Sequence, residues 1–170
     1  MLFSGEEEGI LGSAYYTDHR AMPMDSMLAM LNFDMVGRMR NNRLLALGSR
    51  TATEWDALLD SVNARAHLDV RASGDGWGPS DHASFFAKHR PVLHFFTDLH
   101  EDYHRPSDDW EKINADGIVA VADFAADLTR RLAARPSWLT FVDAPPPAAP
   151  VAGTGERPYL GPIPAMTAAA

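Results

Sequence analysis

SGEEEGILGS, residues 4–13, joins a short apolar beginning to a segment with helical spacing and decides the predicted fold. Residues 1–3 predict a buried strand and Ser13 to His19 predict a short helix, so three adjacent carboxylates fall in a glycine-bracketed loop between them. In an open α/β sheet, loops at the carboxyl ends of strands form the crevice where ligands bind. The loop is therefore either a place for chemistry or a solvated acidic turn, which is the commoner role of a charge run.

Composition and charge exclude several classes of protein. The chain has 170 residues, 46% of them hydrophobic, as in a globular domain. Acidic side chains outnumber basic ones 23 to 15, and the net charge of -8 argues against nucleic acid or an anionic membrane surface as a partner. The absence of cysteine excludes disulfides, thiolate metal sites and cysteine nucleophiles. We see no membrane-spanning run and no signal peptide, and because Met1 falls inside a predicted strand we expect further sequence upstream.

The elements after the acidic loop alternate between strands and helices. Apolar runs and alternation predict strands in residues 29–37, 44–47, 68–72 and 91–97. A capping box at Thr51–Glu54 predicts a helix that buries Trp55, Leu58, Leu59 and Val62. A second helix is predicted from an N-cap at Ser80 to Lys88. A third is predicted over 114–134, with an apolar stripe of Ile118, Val121, Ala122, Ala125, Leu128 and Leu132. This order predicts an α/β fold with a mixed, partly parallel central sheet flanked by helices. We assign residues 1–142 to this domain and the Pro- and Ala-rich residues 143–156 to a linker.

Four places carry residues that could do chemistry, each next to a predicted strand end or helix start. They are Glu6 and Glu7, Asp34, Ser80-Asp81-His82, and the polar segment 103–109. Carboxylate and imidazole donors without sulfur suit catalytic zinc or a similar divalent ion. Each place also has a plainer interpretation as a turn residue, a helix cap or a surface histidine, and each of these is the commoner case when taken alone.

Together the four places resemble the co-catalytic di-zinc aminopeptidases of the bacterial leucyl aminopeptidase type, which are related to glutamate carboxypeptidase and the transferrin receptor. Residues 4–13 match the family's Glu-Glu-x-Gly-Leu-x-Gly-Ser stretch, and residues 32–37 match its Asn-x-Asp-Met-x-Gly strand end. Residues 80–82 match its Ser-Asp-His, and Tyr103-His104 with residues 107–109 matches its last metal-binding loop. The four motifs stand in the family's order, and the resemblance covers Met1 to about Ala134.

The resemblance implies a role for each matched residue. Glu6 would be the general base, Glu7 and His104 would bind one zinc ion, and Asp34 would bind the other. Tyr103 would donate a hydrogen bond to the oxyanion of the tetrahedral intermediate. Two zinc ions about 3.5–4 Å apart would activate water and anchor the free amine of a peptide substrate. The implied function is a zinc-dependent exopeptidase that removes amino-terminal residues and is exported from the cell, with no nucleic-acid or membrane partner.

The chain departs from the family's pattern at both ends. The family's first histidine ligand and its bridging aspartate lie upstream of the Glu-Glu motif, so this chain holds three of five implied ligands, and two dications without the bridge repel strongly. We therefore expect the 170 residues alone to bind zinc weakly and to hydrolyse nothing. Residues 157–170 resemble the opening strand of a PDZ-type domain, and we expect a fragment cut at both ends.

Two other classes of function fit the same motifs. One is a non-catalytic binding protein that keeps the fold, although such a scaffold has no need of Glu6, Glu7, Asp34 and His104 together. The other keeps the metal but changes the reaction, to that of a carboxypeptidase or a glutaminyl cyclase. Substrate profiling separates these, because only an aminopeptidase requires a free substrate amine.

Overall fold

The structure, a computed structural model, describes residues 1–20 and 22–146, which form a four-stranded sheet with helices on both faces. The strands are Met30–Phe33 (β1), Arg43–Leu47 (β2), Asp69–Ser73 (β3) and Val92–Phe96 (β4), in the spatial order β1-β4-β2-β3. β1 runs parallel to β4 and β2 runs parallel to β3, whereas β2 and β4 are antiparallel. The predicted mixed, partly parallel sheet is thus confirmed. The predicted PDZ-type strand and most of the predicted linker lie outside the described residues.

Strand β4 lies between two apolar clusters, one on each of its faces. The helices are Leu11–His19 (α1), Trp55–Ala66 (α2), His82–Phe86 (α3) and Ala115–Ala133 (α4). Leu93 and Phe95 face the larger cluster, which α2 and α4 cover, while Val92 faces a smaller cluster with Phe85 and Phe86 of α3. This alternation follows from the two-residue period of a strand, and it makes β4 a central strand buried on both sides. Within the described residues, none of these helices has the length and apolar character needed to span a membrane.

Helix α4 forms where the apolar periodicity predicts it. The Asn114 side chain caps its start by accepting a hydrogen bond from the Gly117 amide at 2.9 Å, and Arg130 and Arg131 lie in its last turn, where positive charge is favourable. The buried stripe contains Phe124 in place of the predicted Ala122 and Ala125, and Ile118 is partly exposed. The larger aromatic side chain removes more apolar area from water and therefore sets the orientation of the helix.

The predicted strand at residues 1–3 is wrong. Met1 and Leu2 are exposed, and the backbone carbonyls of Ser4 and Gly5 accept hydrogen bonds from Gly12 and Leu11 at 2.9 and 3.0 Å. Ser4 and Gly5 therefore cap the first turn of α1, whose amides have no partner inside the helix. An apolar run forms a strand only where a neighbouring strand pairs with it.

The predicted capping box before α2 is also wrong. The Thr51 hydroxyl donates to the Val92 carbonyl at 2.9 Å and accepts from the Val92 amide at 3.0 Å, and the Glu54 carboxylate accepts from the backbone amide and hydroxyl of Thr140. Both side chains are thus used in tertiary contacts. The start of α2 is fixed by packing of the later chain rather than by a local cap.

Candidate functional site

The parallel pairing of β1 with β4 brings two of the predicted places to one edge of the sheet. Asp34 directly follows β1, and its amide donates to the Phe95 carbonyl of β4 at 3.2 Å. Residues 98–112, here called the 98–112 loop, follow β4 and carry Tyr103 and His104. Because the carboxyl ends of parallel strands meet at the same edge, side chains from both segments can act on one ligand.

The acidic loop reaches the same edge from the start of α1. The amides of Gly9 and Ile10 both donate to the Glu6 carbonyl, at 3.0 and 2.8 Å, and close residues 6–10 into a turn. Gly9 has φ of 105°, a conformation that side chains disfavour, and a Cβ at Gly12 would lie 2.4 Å from the Ser4 carbonyl oxygen. Gly9 and Gly12 are therefore required by the backbone path.

Glu7 and His104, 97 positions apart in sequence, are in direct contact. His104 Nε2 lies 3.1 Å from Glu7 Oε1, and the Tyr103 ring stacks on the His104 imidazole with ring centres 3.9 Å apart. Both side chains of the pair are more than half exposed. The structure thus brings together an oxygen donor and a nitrogen donor, with the tyrosine beside them, at a position open to solvent.

Glu6 lies beside this pair in an environment that opposes its ionisation. Partial burial, followed by repulsion from Asp34, Glu7 and Asp81, raises the pKa of Glu6 to about 7, and only His104 acts in the opposite direction. Four carboxylates from three segments therefore act on one another electrostatically. Such an excess of negative charge is stabilised when a cation lies among the oxygens.

Asp34 is held by a buried chain of polar side chains. The Ser80 hydroxyl donates to Asp34 Oδ2 at 3.0 Å, and Asn32 Nδ2 donates to Ser80 Oγ at 2.8 Å. Asn32 Nδ2 also lies 2.9 Å from Nδ1 of the buried His94, which must accept because the amide nitrogen is a donor. Burial lowers the pKa of His94, and burial with the nearby His94 lowers the pKa of His82, stacked on it, to about 3. Both imidazoles are therefore neutral at pH 7.

These polar side chains correct one sequence-based assignment and add two residues that the sequence did not assign to the site. Ser80 was expected to cap a helix reaching Lys88, but α3 covers only His82–Phe86, and the hydroxyl of Ser80 is directed to Asp34. Asn32 and His94 were not predicted to act near the site. The position of Asn32 in the Asn-x-Asp motif is the one signal that could have identified it, because two residues of separation in a strand place both side chains on one face.

Tyr103 keeps its hydroxyl proton at neutral pH. Partial burial and the charges of Glu7, Asp34 and Glu6 raise the pKa of the Tyr103 phenol, so the hydroxyl is a hydrogen-bond donor. The other polar residues of the predicted segment 103–109 have structural roles. Ser107 donates to Asp102 at 2.7 Å, and Asp109 accepts from the Trp110 amide.

The donor set fits part of a zinc site. Glu7, His104 and Asp34 offer oxygen and nitrogen ligands of the kind that zinc accepts, in surroundings with excess negative charge. The buried Oδ1 of Asp81 has no hydrogen-bond partner. Within residues 1–20 and 22–146, however, no three histidine, aspartate or glutamate side chains lie close enough together to hold a metal ion by themselves. The described residues therefore offer donor atoms of the kind that zinc accepts but do not form a complete coordination sphere.

Comparison with protein families and solved structures gives one consistent result. Residues 1–129 match the model of Peptidase family M28. The fold superposes on the LapA aminopeptidase of Legionella pneumophila with a TM-score of 0.66 at 21% identity, covering 79% of this chain and 38% of LapA. It also superposes on the aminopeptidase of Aneurinibacillus sp. strain AM-1 (TM-score 0.67, 26% identity, 84% of this chain and 35% of that one).

A third similar structure is BSAP, a zinc aminopeptidase from Bacillus subtilis. Its TM-score is 0.66 at 23% identity, with 76% of this chain and 34% of BSAP covered. The chain thus spans little more than a third of the length of each of these solved structures. No curated protein matches the chain significantly.

Proposed function

The chain belongs to peptidase family M28, and on that premise we propose that it carries part of the active site of a zinc-dependent aminopeptidase. The observation that supports this most strongly is the contact of Glu7 with His104 beside Glu6, whose pKa is raised to about 7. Because the chain spans little more than a third of the similar structures, the activity is proposed for a longer protein that includes these residues.

We assign the zinc ligands from the donor set. Glu7 and His104 bind one ion, and Asp34 binds the other, oriented by the hydrogen bond from Ser80. When bound, zinc supplies Lewis-acid polarisation of the peptide carbonyl and an anchor for the free amine. The substrate is accordingly a peptide with a free amino terminus.

Glu6 is the proposed general base. A pKa near 7 in the metal-free chain lets its carboxylate accept a proton from the attacking water and later donate that proton to the leaving amine. Its carboxylate must remain unbound by metal for this role, because a ligand oxygen cannot accept the proton. The adjacent glutamates allow this, because Glu7 binds the metal and leaves the Glu6 carboxylate able to accept the proton.

Tyr103 is the proposed donor to the oxyanion. Its raised pKa keeps the hydroxyl protonated while charge develops on the substrate oxygen. The ring is fixed by stacking on His104, so the hydroxyl is positioned by the same residue that binds the metal.

The 170 residues alone supply three of the five implied ligands. We propose that they bind zinc weakly and do not hydrolyse peptides, and that the longer protein is exported. Calorimetric titration of the chain with zinc tests the weak binding, and an assay on an aminoacyl chromogenic amide tests the lack of hydrolysis. Cell fractionation tests the export of the longer protein.

The decisive variant is Glu6→Ala in the longer protein. We expect kcat to fall about 10²–10⁴-fold, the usual contribution of a general base, with zinc content retained. Glu8→Ala is the matched control, because Glu8 is an exposed carboxylate in the same loop and should leave kcat unchanged. Loss of zinc from Glu6→Ala would make Glu6 a ligand and contradict the assignment.

A further inference from the structure

The 98–112 loop carries both Tyr103 and His104, and a charged network outside the proposed metal ligands holds it in place. Inside the loop, Ser107 and Lys112 both donate to Asp102 Oδ1, at 2.7 and 2.5 Å. The amides of Tyr103, Arg105 and Asp108 donate to the carbonyls of His100, Asp102 and Arg105, at 3.0, 2.9 and 3.0 Å. These contacts shape the loop, but they do not attach it to the rest of the domain.

Arg38 attaches the loop to the segment that follows β1. Its Nη2 donates to Asp102 Oδ2 at 2.9 Å, and its Nη1 donates to Asp108 Oδ1 at 2.6 Å. The side chains of Arg38 and Asp102 are each 17% exposed. One guanidinium thus joins two carboxylates that lie on either side of Tyr103 and His104 in the sequence.

The position of Arg38 couples the loop to Asp34. Arg38 ends the 3₁₀ turn Val36–Arg38, which begins two residues after Asp34. The turn itself is fixed, since the Thr97 hydroxyl donates to the Met35 carbonyl at 2.5 Å and the Asn114 amide donates to the Gly37 carbonyl at 2.9 Å. A shift of the guanidinium relative to Asp34 is therefore opposed by backbone contacts on both sides.

The chemistry of this link requires arginine. A guanidinium presents two donor edges in a rigid plane, so it can bind two carboxylates from fixed directions, whereas an ammonium is a single point charge on a flexible stem. Arg40 adds a second attachment, because its Nη2 donates to the Leu99 carbonyl at 2.7 Å. That contact lies at the beginning of the loop, farther from His104 in the sequence than the contact with Asp102.

We propose that Arg38 is a positioning residue, which holds the 98–112 loop against the Asp34 segment so that His104 meets Glu7 and Tyr103 stacks on His104. Arg38 touches neither metal nor substrate in this account. The inference rests on the proposed function only where it names His104 a zinc ligand. The order that Arg38 imposes on the loop is independent of that assignment.

Amide hydrogen exchange on the 170-residue chain tests the order of the loop. In Arg38→Ala we expect the amides of Tyr103, Arg105 and Asp108 to exchange about tenfold faster or more, while the core amides of α2 and α4 keep their protection. Arg38→Lys should give an intermediate result. Arg43→Ala is the matched control, because it also removes an arginine–aspartate ion pair. That ion pair joins Arg43 to Asp69, on the neighbouring strands β2 and β3.

Two further readouts separate positioning from general stabilisation. In the wild type, the Tyr103 ring should shift the His104 ring protons in the NMR spectrum, and Arg38→Ala should remove that shift while far-UV circular dichroism stays unchanged. Titration with zinc alone should show apparent affinity about tenfold weaker for Arg38→Ala than for Arg43→Ala, the size expected for loss of a residue that orients a ligand.

The outcomes distinguish this inference from the proposed function. If the wild-type chain binds no zinc, the statement that these 170 residues bind it weakly by themselves fails, and exchange and the His104 shift still decide the role of Arg38. Unchanged exchange and an unchanged His104 shift in Arg38→Ala would overturn the inference. A looser loop with unchanged zinc affinity would also overturn it, because His104 would then bind without Arg38. If Arg38→Ala does not fold, Arg38→Lys provides the same comparison.

Discussion

The layer of α2 and α4 on the sheet and the edge that carries Glu6, Glu7, Asp34 and His104 are built in opposite ways. Trp55 and Leu128 in the helical layer are fully buried and have apolar neighbours from several elements. At the edge, carboxylates from three segments repel one another, and the pair of Glu7 with His104 is open to solvent. The first region contributes stability by burial, whereas the second holds unfavourable charge that a bound cation would relieve.

Truncation in the helical layer should have the largest effect on stability. Trp55→Ala removes a fully buried indole together with its hydrogen bond to Thr51, and we expect the free energy of unfolding to fall by about 3–5 kcal/mol. Urea unfolding followed by far-UV circular dichroism measures this. Trp138→Ala is the control, since Trp138 is 56% exposed and should cost less than about 0.5 kcal/mol. Equal losses in the two variants would mean that the helical layer is not the stabilising region.

The polar chain behind Asp34 should give a smaller loss. Ser80→Ala removes the buried hydroxyl that donates to Asp34 and accepts from Asn32, and we expect a loss of about 1–3 kcal/mol, the cost of leaving such groups unpaired. The same unfolding assay applies, with the exposed Ser137→Ala as control. A neutral Ser80→Ala would show that Asp34 is oriented by other contacts.

Removing the charge of Glu6 at the edge should change the free energy of unfolding least, and the change should depend on pH. The pKa of Glu6 is raised from 4.5 to about 7, so folding favours its protonated form, and that contribution is present below pH 4.5 and lost as the pH rises through 7. Glu6→Gln should therefore leave the metal-free chain unchanged near pH 4 and more stable by about 1 kcal/mol at pH 8, after allowance for solvent screening. Glu8→Gln should show no such trend. A stabilisation that is equal at both pH values would contradict the raised pKa.

Much of the sheet and the helical layer could be predicted because their signals are local. The apolar spacing after Asn114 and after Glu54 reports the buried faces of α4 and α2, and the run of residues 91–97 predicts β4. The strand predicted at residues 1–3 is wrong because strand formation depends on a partner that local sequence does not reveal. The predicted caps at Ser80 and Thr51 fail for the same reason, since hydrogen bonds to the distant residues Asp34 and Val92 override local preferences.

The residues at the edge could be proposed only through the joint motif resemblance. Glu7 and His104 lie 97 positions apart, and no periodicity links them. Their meeting depends on the packing of α1 against α3, where the Ser13 and Ser84 hydroxyls are hydrogen-bonded, and on the attachment of the 98–112 loop by Arg38. Arg38 and His94 carried no signal in the sequence, because an arginine in a turn and a histidine in a strand are common in ordinary surfaces and cores.

We propose that Glu7, Asp34 and His104 bind zinc while the Glu6 carboxylate stays unbound by metal. A crystal structure of the longer protein grown with zinc, with anomalous data collected at the zinc edge, tests this most directly. We expect anomalous peaks with Glu7 and His104 about 2 Å from one ion, Asp34 at the same distance from the other, and the Glu6 carboxylate outside the coordination sphere. Zinc bound by Glu6, or bound away from these three side chains, would contradict it.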